Sequence, residues 1–508
     1  MDEVNKVLQG IARGAGIVFA GTIISMLLLF LSVVVIARYF STAEYGVFNL
    51  ALTILNVAIV VVMLGFPSSL PREVAFYREK EPLKIGSLIL TALIIVSLIS
   101  LTVTSFLVLG SAYIAQIFNE GRLSYALKII SLSLPFSALI GTFVAISQGF
   151  GRVRERVYFQ NLIHPLLWFA LVVFGVVLKM NFIYIFTAYV MAQIVTFLIL
   201  VIDVFRIKLF EIDSIDLKLG KELIKFSVPL MLSGIAAFVM TWTDTLMLGY
   251  YKTSEIVGLY NAAAPLAKLL PIFLSSAGFI YPPLATALYV QEKIEELKRV
   301  YQLLTKWLFL VTLPLFGMVF LFPETVMGIL FGSKYSPASQ TLKILSLGFM
   351  FHTLLGLNGS SLIVIGESKF VMHSTFISAT VNVVLNTLLI PIFGIEGAAI
   401  ATAISYFVIN ILNSLRLYLK AEIHPFNWNY AKVLVISFVL LGLIQGLQLR
   451  ALSIWYSLPI LIAFLFTYSF LILLSRSIDR EDVELILAIE KKIGVDLRIV
   501  KKVLKRFI

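Results

Sequence analysis

The sequence predicts an all-α integral membrane protein with about fourteen transmembrane helices. Of its 508 residues, 60% are hydrophobic and 13% are charged, whereas soluble domains contain about 45–50% apolar residues. Apolar runs long enough to cross about 30 Å of hydrocarbon recur along the whole chain. The first run, 17–37, has the length of a membrane helix, so a cleaved export signal is not expected.

The predicted spans are defined by these apolar runs and are separated by short polar segments. They are 17–37, 44–64, 85–109, 124–148, 158–178, 182–203, 226–249, 258–281, 306–323, 341–365, 370–391, 398–415, 432–448 and 454–474.

Two pairs of related segments indicate that the first twelve spans arose by duplication. Segments 38–51 and 249–263 both read aromatic pair, polar turn, Glu, Gly, aliphatic, aromatic, Asn and Ala, and 148–152 is matched by 365–369. Each copy contains six spans, so both copies enter the membrane in the same direction. We therefore expect parallel six-helix repeats about an axis along the membrane normal, with two further C-terminal helices.

The distribution of Lys and Arg predicts the orientation. With a cytoplasmic N-terminus, 31 of the 40 Lys and Arg residues fall on the cytoplasmic side, counting Lys306 and Lys432 at the cytoplasmic ends of spans 9 and 13, and six fall in outer loops. This bias places both termini in the cytoplasm, in a multi-pass protein of the cell membrane. The net charge of +12 then faces anionic lipids of the inner leaflet, and no nucleic-acid partner is expected.

These boundaries predict five regions. Two of them are polar and interfacial: a linker whose charges alternate with Leu and Ile, and an amphipathic tail that anchors to the inner leaflet or, as the alternative, binds a partner. The regions are an N-terminal lobe (1–205), the cytoplasmic linker (206–225), a C-terminal lobe (226–420), helices 13 and 14 (421–475) and the cytoplasmic tail (476–508).

Motifs for catalysis are absent from the sequence. It contains no cysteine, which excludes disulfides and thiolate metal sites, and its four histidines lack ligand spacing. It also lacks the P-loop, the HExxH pair and the GxSxG elbow. We therefore expect no catalytic residue, metal or cofactor, and energy must come from a gradient or from the substrate's own concentration difference.

Two ionisable residues inside predicted spans are the strongest site candidates. Asp244 lies in span 7, where an unpaired carboxylate costs at least about 2.5 kcal/mol, so it needs a cavity or a partner. It either couples transport to an ion or holds helices 7 and 8 together, with Lys268 as a candidate partner. Lys268 lies in span 8 between Pro265 and Pro271, which predict a bent helix. Its ammonium suits an anionic head group, with snorkelling or pairing to Asp244 as the alternative.

Three further cations could contribute to substrate binding. Arg38 ends span 1 and Lys128 lies near the outer end of span 4, so both could snorkel instead. Arg72 follows a Pro-containing break at the cytoplasmic end of span 2. It either lies at the cytoplasmic mouth of a substrate cavity or is simply one of the excess cations on the cytoplasmic side. Most of the neutral polar residues in the spans are expected to form hydrogen bonds between helices. They are Asn56, Gln148, Gln160, Asn161, Asn261, Asn358, Asn382, Asn386 and Asn410.

Several of these segments, in this order and spacing, resemble the polysaccharide-transporter branch of the multidrug/oligosaccharidyl-lipid/polysaccharide exporter superfamily. The similarity covers roughly spans 1 to 12. It is carried by Ala37-Arg38-Tyr39-Phe40 with Glu44-Tyr45-Gly46, Leu64-Gly65-Phe66-Pro67-Ser68 with Arg72-Glu73, Leu223-Ile224-Lys225-Phe226-Ser227-Val228-Pro229, and Asp244-Thr245-Leu246-Met247-Leu248-Gly249-Tyr250 with Gly258-Leu259-Tyr260.

The resemblance implies a two-lobed, fourteen-helix fold with a central cationic cavity, which flips lipid-linked oligosaccharides outward by alternating access. It also implies a polyprenyl phosphate or diphosphate carrier and, in some members, coupling to H⁺ or Na⁺. One departure is that Pro283-Leu284 stands where the first half has Pro71-Arg72. Any cationic entrance to the cavity would therefore carry this Arg from the first half only.

The leading hypothesis is a monomeric flippase for lipid-linked oligosaccharides, with the lipid tail remaining among membrane lipids. A cation-coupled multidrug or metabolite antiporter of the sister branch is the first alternative, although such proteins usually have twelve spans. A membrane glycosyltransferase or ligase is the second, but it would need an acidic site and a large external loop.

Overall fold

The structure is a computed structural model that describes residues 2–207, 213–446, 454–478 and 482. Every regular element in that part of the chain is helical. The all-α prediction is therefore confirmed.

The helices of the first half are separated by short turns and by a π-helical segment at Arg156–Ile163. They are α1 (Asp2–Tyr39), α2 (Thr42–Met63), α3 (Phe66–Lys80), α4 (Ile85–Ile117), α5 (Arg122–Ile130), α6 (Leu134–Gly149), α7 (His164–Val177), α8 (Ile183–Arg206) and α9 (Leu217–Tyr251).

The helices of the second half include two short ones at breaks in longer spans. They are α10 (Ser254–Ala267), α11 (Ile272–Val290), α12 (Ile294–Leu321), α13 (Pro323–Leu330), α14 (Ser339–Leu354), α15 (Asn358–Val364), α16 (Ser368–Ala421), α17 (Trp428–Gly446) and α18 (Ile454–Leu474).

Many of these helices are long and apolar enough to cross a membrane, which makes the chain a multi-pass membrane protein. Eleven meet that description within the described residues, or twelve if the bent pair of α10 and α11 is one span. The count of about fourteen is therefore not confirmed, although helices lie over the described part of each predicted run. Part of the difference is α16, which covers predicted spans 11 and 12 and is broken by Gly394 at φ 58° and ψ −127°, a conformation that glycine adopts readily.

Contacts divide the chain into two compact units. The first contains Met1–Ala262 and Leu385–Ala398, and the second contains Ala263–Val384 and Ala399–Ile508. Part of α16 thus belongs to the same unit as α1–α9. The lobe boundaries predicted from the sequence stay a prediction.

Each unit has its own apolar core. In the first unit Phe143, Phe159 and Leu200 are buried together where α6, the π-helical segment and α8 meet. In the second, Tyr281 and Tyr301 lie in a cluster from α11, α12, α15 and α16. Within a membrane such clusters are stabilised by van der Waals packing between helices rather than by removal from water.

The second unit also contains a buried ion pair that the sequence did not predict. Nζ of Lys306, in α12, lies 2.6 Å from Oδ2 of Asp482, and both side chains are at most 1% exposed. Nε1 of Trp307 donates to Oδ1 of the same carboxylate at 2.7 Å. Asp482 is the one described residue beyond 478, so the rest of the predicted tail lies outside the described residues. Of the predicted linker, 208–212 also lies outside them.

Candidate functional site

The two copies of the repeated motif contact each other at the starts of α2 and α10. A Cβ atom on Gly46 would lie 1.7 Å from the carbonyl oxygen of Ser254, and one on Gly258 would lie 2.1 Å from that of Thr42. The contact is thus reciprocal, which is the pattern of a two-fold relation between equivalent segments. The glycines permit a backbone-to-backbone approach that no other residue type could make.

Polar side chains of the motif fix the same junction. Ser41 and Glu44 form a capping box at the start of α2, which satisfies backbone donors that the first turn leaves unpaired. The hydroxyl of Tyr45 donates to the carbonyl of Asn261 at 3.0 Å, and Asn261 Oδ1 accepts from Thr245 Oγ1 at 3.2 Å. These bonds join α2, α9 and α10.

An ionic cluster also holds the start of α10 in place. Oε2 of Glu120 accepts a hydrogen bond from Ser254 Oγ at 2.5 Å, and Arg122 donates to both carboxylate oxygens at 2.9 Å. Burial raises the pKa of the Glu120 carboxyl, but the bonds from Arg122 and Ser254 outweigh it and hold that pKa below its usual range. The turn between α4 and α5 is thereby fastened to α10.

Asp244 lies at the centre of this arrangement, buried at 5% exposure in α9. Its Oδ1 accepts a hydrogen bond of 2.7 Å from Nδ2 of Asn386, and its Oδ2 accepts one from the hydroxyl of Tyr260. Tyr260 is on α10 and Asn386 is on the part of α16 that belongs to the first unit. The carboxyl group therefore lies where three helices meet, as an intramembrane acid requires.

The α16 segment is anchored at its far end as well. Nζ of Lys252, at the end of α9, donates to the carbonyl of Pro391 at 2.9 Å. Asn386 and Pro391, which form the two bonds, lie close together on the first-unit part of α16. Movement of one of the three helices would change the number of hydrogen-bond donors around the carboxyl group.

The structure places Lys268 in the turn between α10 and α11, with its side chain exposed. Pro265 lies inside α10 and Pro271 precedes α11, and the axes of the two segments differ by 55°. The bent helix predicted from the two prolines is confirmed. Lys268 belongs to the second unit and Asp244 to the first, and their pairing stays a prediction.

The other three predicted cations have different surroundings, all within the first unit. Arg72, in α3, pairs with Glu73 at 2.6 Å and lies 4.5 Å from the centroid of the Phe226 ring. Arg38, at the end of α1, and Lys128, in α5, are exposed. Their roles in substrate binding stay predictions.

Several neutral polar residues form the interhelical hydrogen bonds expected of them. In the second unit, Asn358 Nδ2 donates to Asn410 Oδ1 at 3.1 Å, and Asn410 Oδ1 lies 2.9 Å from Nδ1 of His352. Asn382 Nδ2 donates to Thr402 Oγ1 at 3.3 Å. These bonds join α14, α15 and the two parts of α16, and they confirm the structural interpretation for these residues.

Sequence reasoning singled out Asp244 and expected Asn386 to form a hydrogen bond between helices, but it connected neither Asn386 nor Tyr260 to Asp244. Tyr260 could have been found by comparing the motif copies, because Phe48 occupies the matching position and lacks the hydroxyl. Asn386 lies 142 residues from Asp244 along the chain. No local pattern connects two residues that far apart.

Family models match two parts of the chain. The model described as polysaccharide biosynthesis protein matches residues 11–288, which is more than half of the chain. The MatE model matches residues 229–388.

Among curated proteins, the chain is 29% identical over 232 residues to a protein of Haloferax volcanii described as probable low-salt glycan biosynthesis flippase Agl15. That match covers 44% of this chain and 48% of the relative, so the chain spans about half the length of this relative.

Two solved structures share the fold at low sequence identity. One is the lipid II flippase MurJ in an inward closed conformation, with a TM-score of 0.72, 16% identity and coverage of 89% of this chain and 97% of that chain. The other is an inward-facing multidrug transporter of the MATE family, with a TM-score of 0.65, 14% identity and coverage of 80% and 98%.

Proposed function

We propose that this chain, which belongs to the polysaccharide biosynthesis protein family, is a flippase for lipid-linked oligosaccharides. It would move a polyprenyl phosphate- or diphosphate-linked glycan from the cytoplasmic to the outer leaflet by alternating access. The observation that carries the proposal is the family match over residues 11–288 in a chain whose helices are long enough to cross the membrane many times. A relative described as a glycan biosynthesis flippase supports the substrate class.

In this proposal the cations bind the anionic part of the substrate. Lys268 lies at a break between helices, where a side chain can reach a wet cavity. A phosphate in a partly dehydrated site needs charge-assisted donors. Lys268 would supply one near the middle of the membrane, and Arg72, Arg38 and Lys128 would contact the head group as it enters and leaves.

Asp244 would couple transport to an ion gradient. A carboxyl group held by a phenol and an amide can exchange these donors for a proton or Na⁺. An ion drives the cycle if its affinity differs between the inward-open and outward-open states. The meeting of α9, α10 and α16 at Asp244 supports such a difference, because helix movement would alter the set of donors.

The proposal includes the orientation and state of assembly. The excess of Lys and Arg in alternate loops supports cytoplasmic termini in a cytoplasmic membrane. We propose that the protein acts as a monomer, with the linker at 206–225 between two lobes. Relatives described as flippases and transporters support a transporter rather than a glycosyltransferase.

Reconstituted vesicles test the function directly. Purified protein is inserted into vesicles that contain a fluorescent disaccharide on undecaprenyl diphosphate, and an impermeant quencher reports the fraction of probe in the outer leaflet. We expect the exchanging fraction to rise with protein, while fluorescent phosphatidylcholine stays in place. In cells, deletion should leave lipid-linked glycan on the cytoplasmic leaflet; unchanged surface glycan without this accumulation contradicts the proposal.

A multidrug antiporter is the second candidate, because the MatE model matches residues 229–388. The same vesicles distinguish the two functions. Gradient-driven uptake of ethidium without exchange of the glycan probe would favour the antiporter.

A further inference from the structure

We propose that a groove between α4 and the start of α9 binds one anionic membrane lipid. Its phosphate would contact Lys221 and Lys225, and one of its acyl chains would cover the apolar floor of the groove. This lipid would be resident rather than transported, so the inference goes beyond the flippase function.

The groove is a cavity of about 520 Å³ with an almost entirely apolar wall. It is lined on α4 by residues from Thr91 to Leu98, a length of about 10 Å at 1.5 Å per residue. The opposite wall is formed by Ile215, Leu217, Gly220, Lys221, Ile224 and Lys225. All of these residues belong to the first unit.

Hydrogen bonds and a close approach hold the walls of this groove in place. The backbone N–H of Asp216 donates to Thr91 Oγ1 at 3.0 Å, and Ser87 Oγ donates to Asp213 at 3.0 Å. A Cβ atom on Gly220 would lie 2.9 Å from Cγ2 of Thr91, so α9 already contacts α4 at that level. The cavity is therefore preformed, which reduces the ordering cost of binding.

Large apolar side chains are exposed at the rim. Leu217 is 82% exposed and Leu98 is 62% exposed. Leu217 begins α9 inside the segment predicted to be the interfacial linker, so we infer that it lies near the lipid head groups. An acyl chain in the groove would cover such a surface.

The two lysines at the groove carry more positive charge than the one carboxylate between them in the sequence, Glu222, can offset. Lys221 and Lys225 are exposed, one helical turn apart, and neither forms an ion pair within the described part of the chain. Of the carboxylates near the lysines, Asp213 accepts from Ser87 and Asp216 caps its own helix. The exposed carboxylate of Glu222, between the two lysines in the sequence, forms no ion pair with either of them. Like charges four residues apart repel each other. A bound phosphate would relieve that repulsion.

The combination of a basic rim and an apolar floor identifies the ligand class. Basic pockets beside membrane helices bind anionic lipid head groups. A soluble anion would not cover the apolar floor, and a zwitterionic lipid would gain less from two lysines. We therefore commit to a phospholipid with net negative charge.

Photochemical cross-linking tests the site in the intact protein. Nanodiscs of phosphatidylcholine would contain a small fraction of phosphatidylglycerol with a diazirine in one acyl chain, and mass spectrometry would locate the cross-links. We expect them in the α4 peptide that contains Ile94, Ile95 and Leu98. The double variant Lys221→Gln/Lys225→Gln should reduce their yield at least about fivefold, whereas Lys218→Gln, whose side chain does not line the groove, should match the wild type.

A second variant leaves the charge intact. Ile95→Trp would fill the floor of the groove and should also reduce the cross-links, while melting temperatures confirm that the variants are folded. Three results would overturn the proposal: equal yield in the double lysine variant, equal cross-linking by photoreactive phosphatidylcholine, or displacement by excess undecaprenyl phosphate. The last would make the carrier lipid the occupant, and none of the three depends on flipping activity.

Discussion

At the scale of single residues, Asp244 has the most specific environment of the predicted site residues. Asparagine at this position keeps the size and removes the charge change, and a rotation of the Asn386 amide would restore the hydrogen bonds. We expect Asp244→Asn to fold and bind substrate but to lose about 90% of the response to an imposed H⁺ or Na⁺ gradient. Asparagine would no longer bind the ion differently in the inward-open and outward-open states, and an ion with equal affinity for both does not shift the equilibrium between them.

The measurement is glycan exchange in vesicles with and without a gradient. Asp213→Asn is the matched control, since Asp213 contacts Ser87 rather than the α9–α10–α16 junction. If Asp244→Asn still follows the gradient, Asp244 is a helix-packing residue and coupling lies elsewhere.

Lys268 gives a second prediction at this scale. Lys268→Ala should reduce flipping by about tenfold, the loss of one charge-assisted hydrogen bond of about 1.5 kcal/mol, without lowering the amount of protein in the membrane. Lys268→Arg should retain part of the activity, because a guanidinium also binds phosphate. Normal flipping by Lys268→Ala would leave Lys268 a structural residue.

Lys306 shows what residue-level reasoning could not predict. From the sequence it reads as another cytoplasmic cation at the start of span 9. In the structure it is buried and paired with Asp482. The two residues are 176 positions apart, so nothing in the local pattern reveals the pair.

At the scale of elements, the glycine contact between α2 and α10 carries a prediction about stability. Gly46→Ala and Gly258→Ala each place a Cβ atom against a backbone carbonyl, and such overpacking costs about 1–3 kcal/mol. We expect both variants to unfold at lower temperature in detergent. The double variant should lose less than the sum, because one separation of the helices relieves both clashes.

Gly110→Ala in α4 is the control for this pair. An added Cβ there meets no atom within 4 Å, so the melting temperature should not fall. Equal behaviour of Gly46→Ala and Gly110→Ala would show that the helices at the motif are not closely packed.

Helix existence was predictable because the length and hydropathy of a run determine whether it can span the bilayer. The break beside Lys268 was predictable as well, since Pro265 and Pro271 interrupt the helix. The position of the sharp turn between spans 11 and 12 was not. The turn contains Gly394, whose φ of 58° and ψ of −127° are not helical, and the sequence contains 30 glycines that give no indication of which one bends.

At the scale of the whole molecule, orientation can be tested with introduced thiols because the chain has no cysteine. Glu79→Cys at the end of α3 and Met180→Cys between α7 and α8 are exposed positions. We expect an impermeant maleimide to label Met180→Cys in intact cells and Glu79→Cys only after permeabilisation. The reverse pattern would place the termini outside.

The family and the all-α, multi-pass fold followed from features spread over the whole sequence. The donors around Asp244 did not, because they come from three helices that only the fold brings together. Patterns along the chain therefore indicate which residues are unusual, and contacts indicate what those residues can bind.

The bond between Lys306 and Asp482 sets a limit on how far the protein can be shortened for expression. A chain ending at 478 would keep every described helix yet remove the carboxylate that faces a buried ammonium, and breaking such a pair costs about 3–5 kcal/mol. We expect that chain to melt well below one ending at 490, and equal melting temperatures would contradict this. C-terminal trimming should therefore leave Asp482 in place.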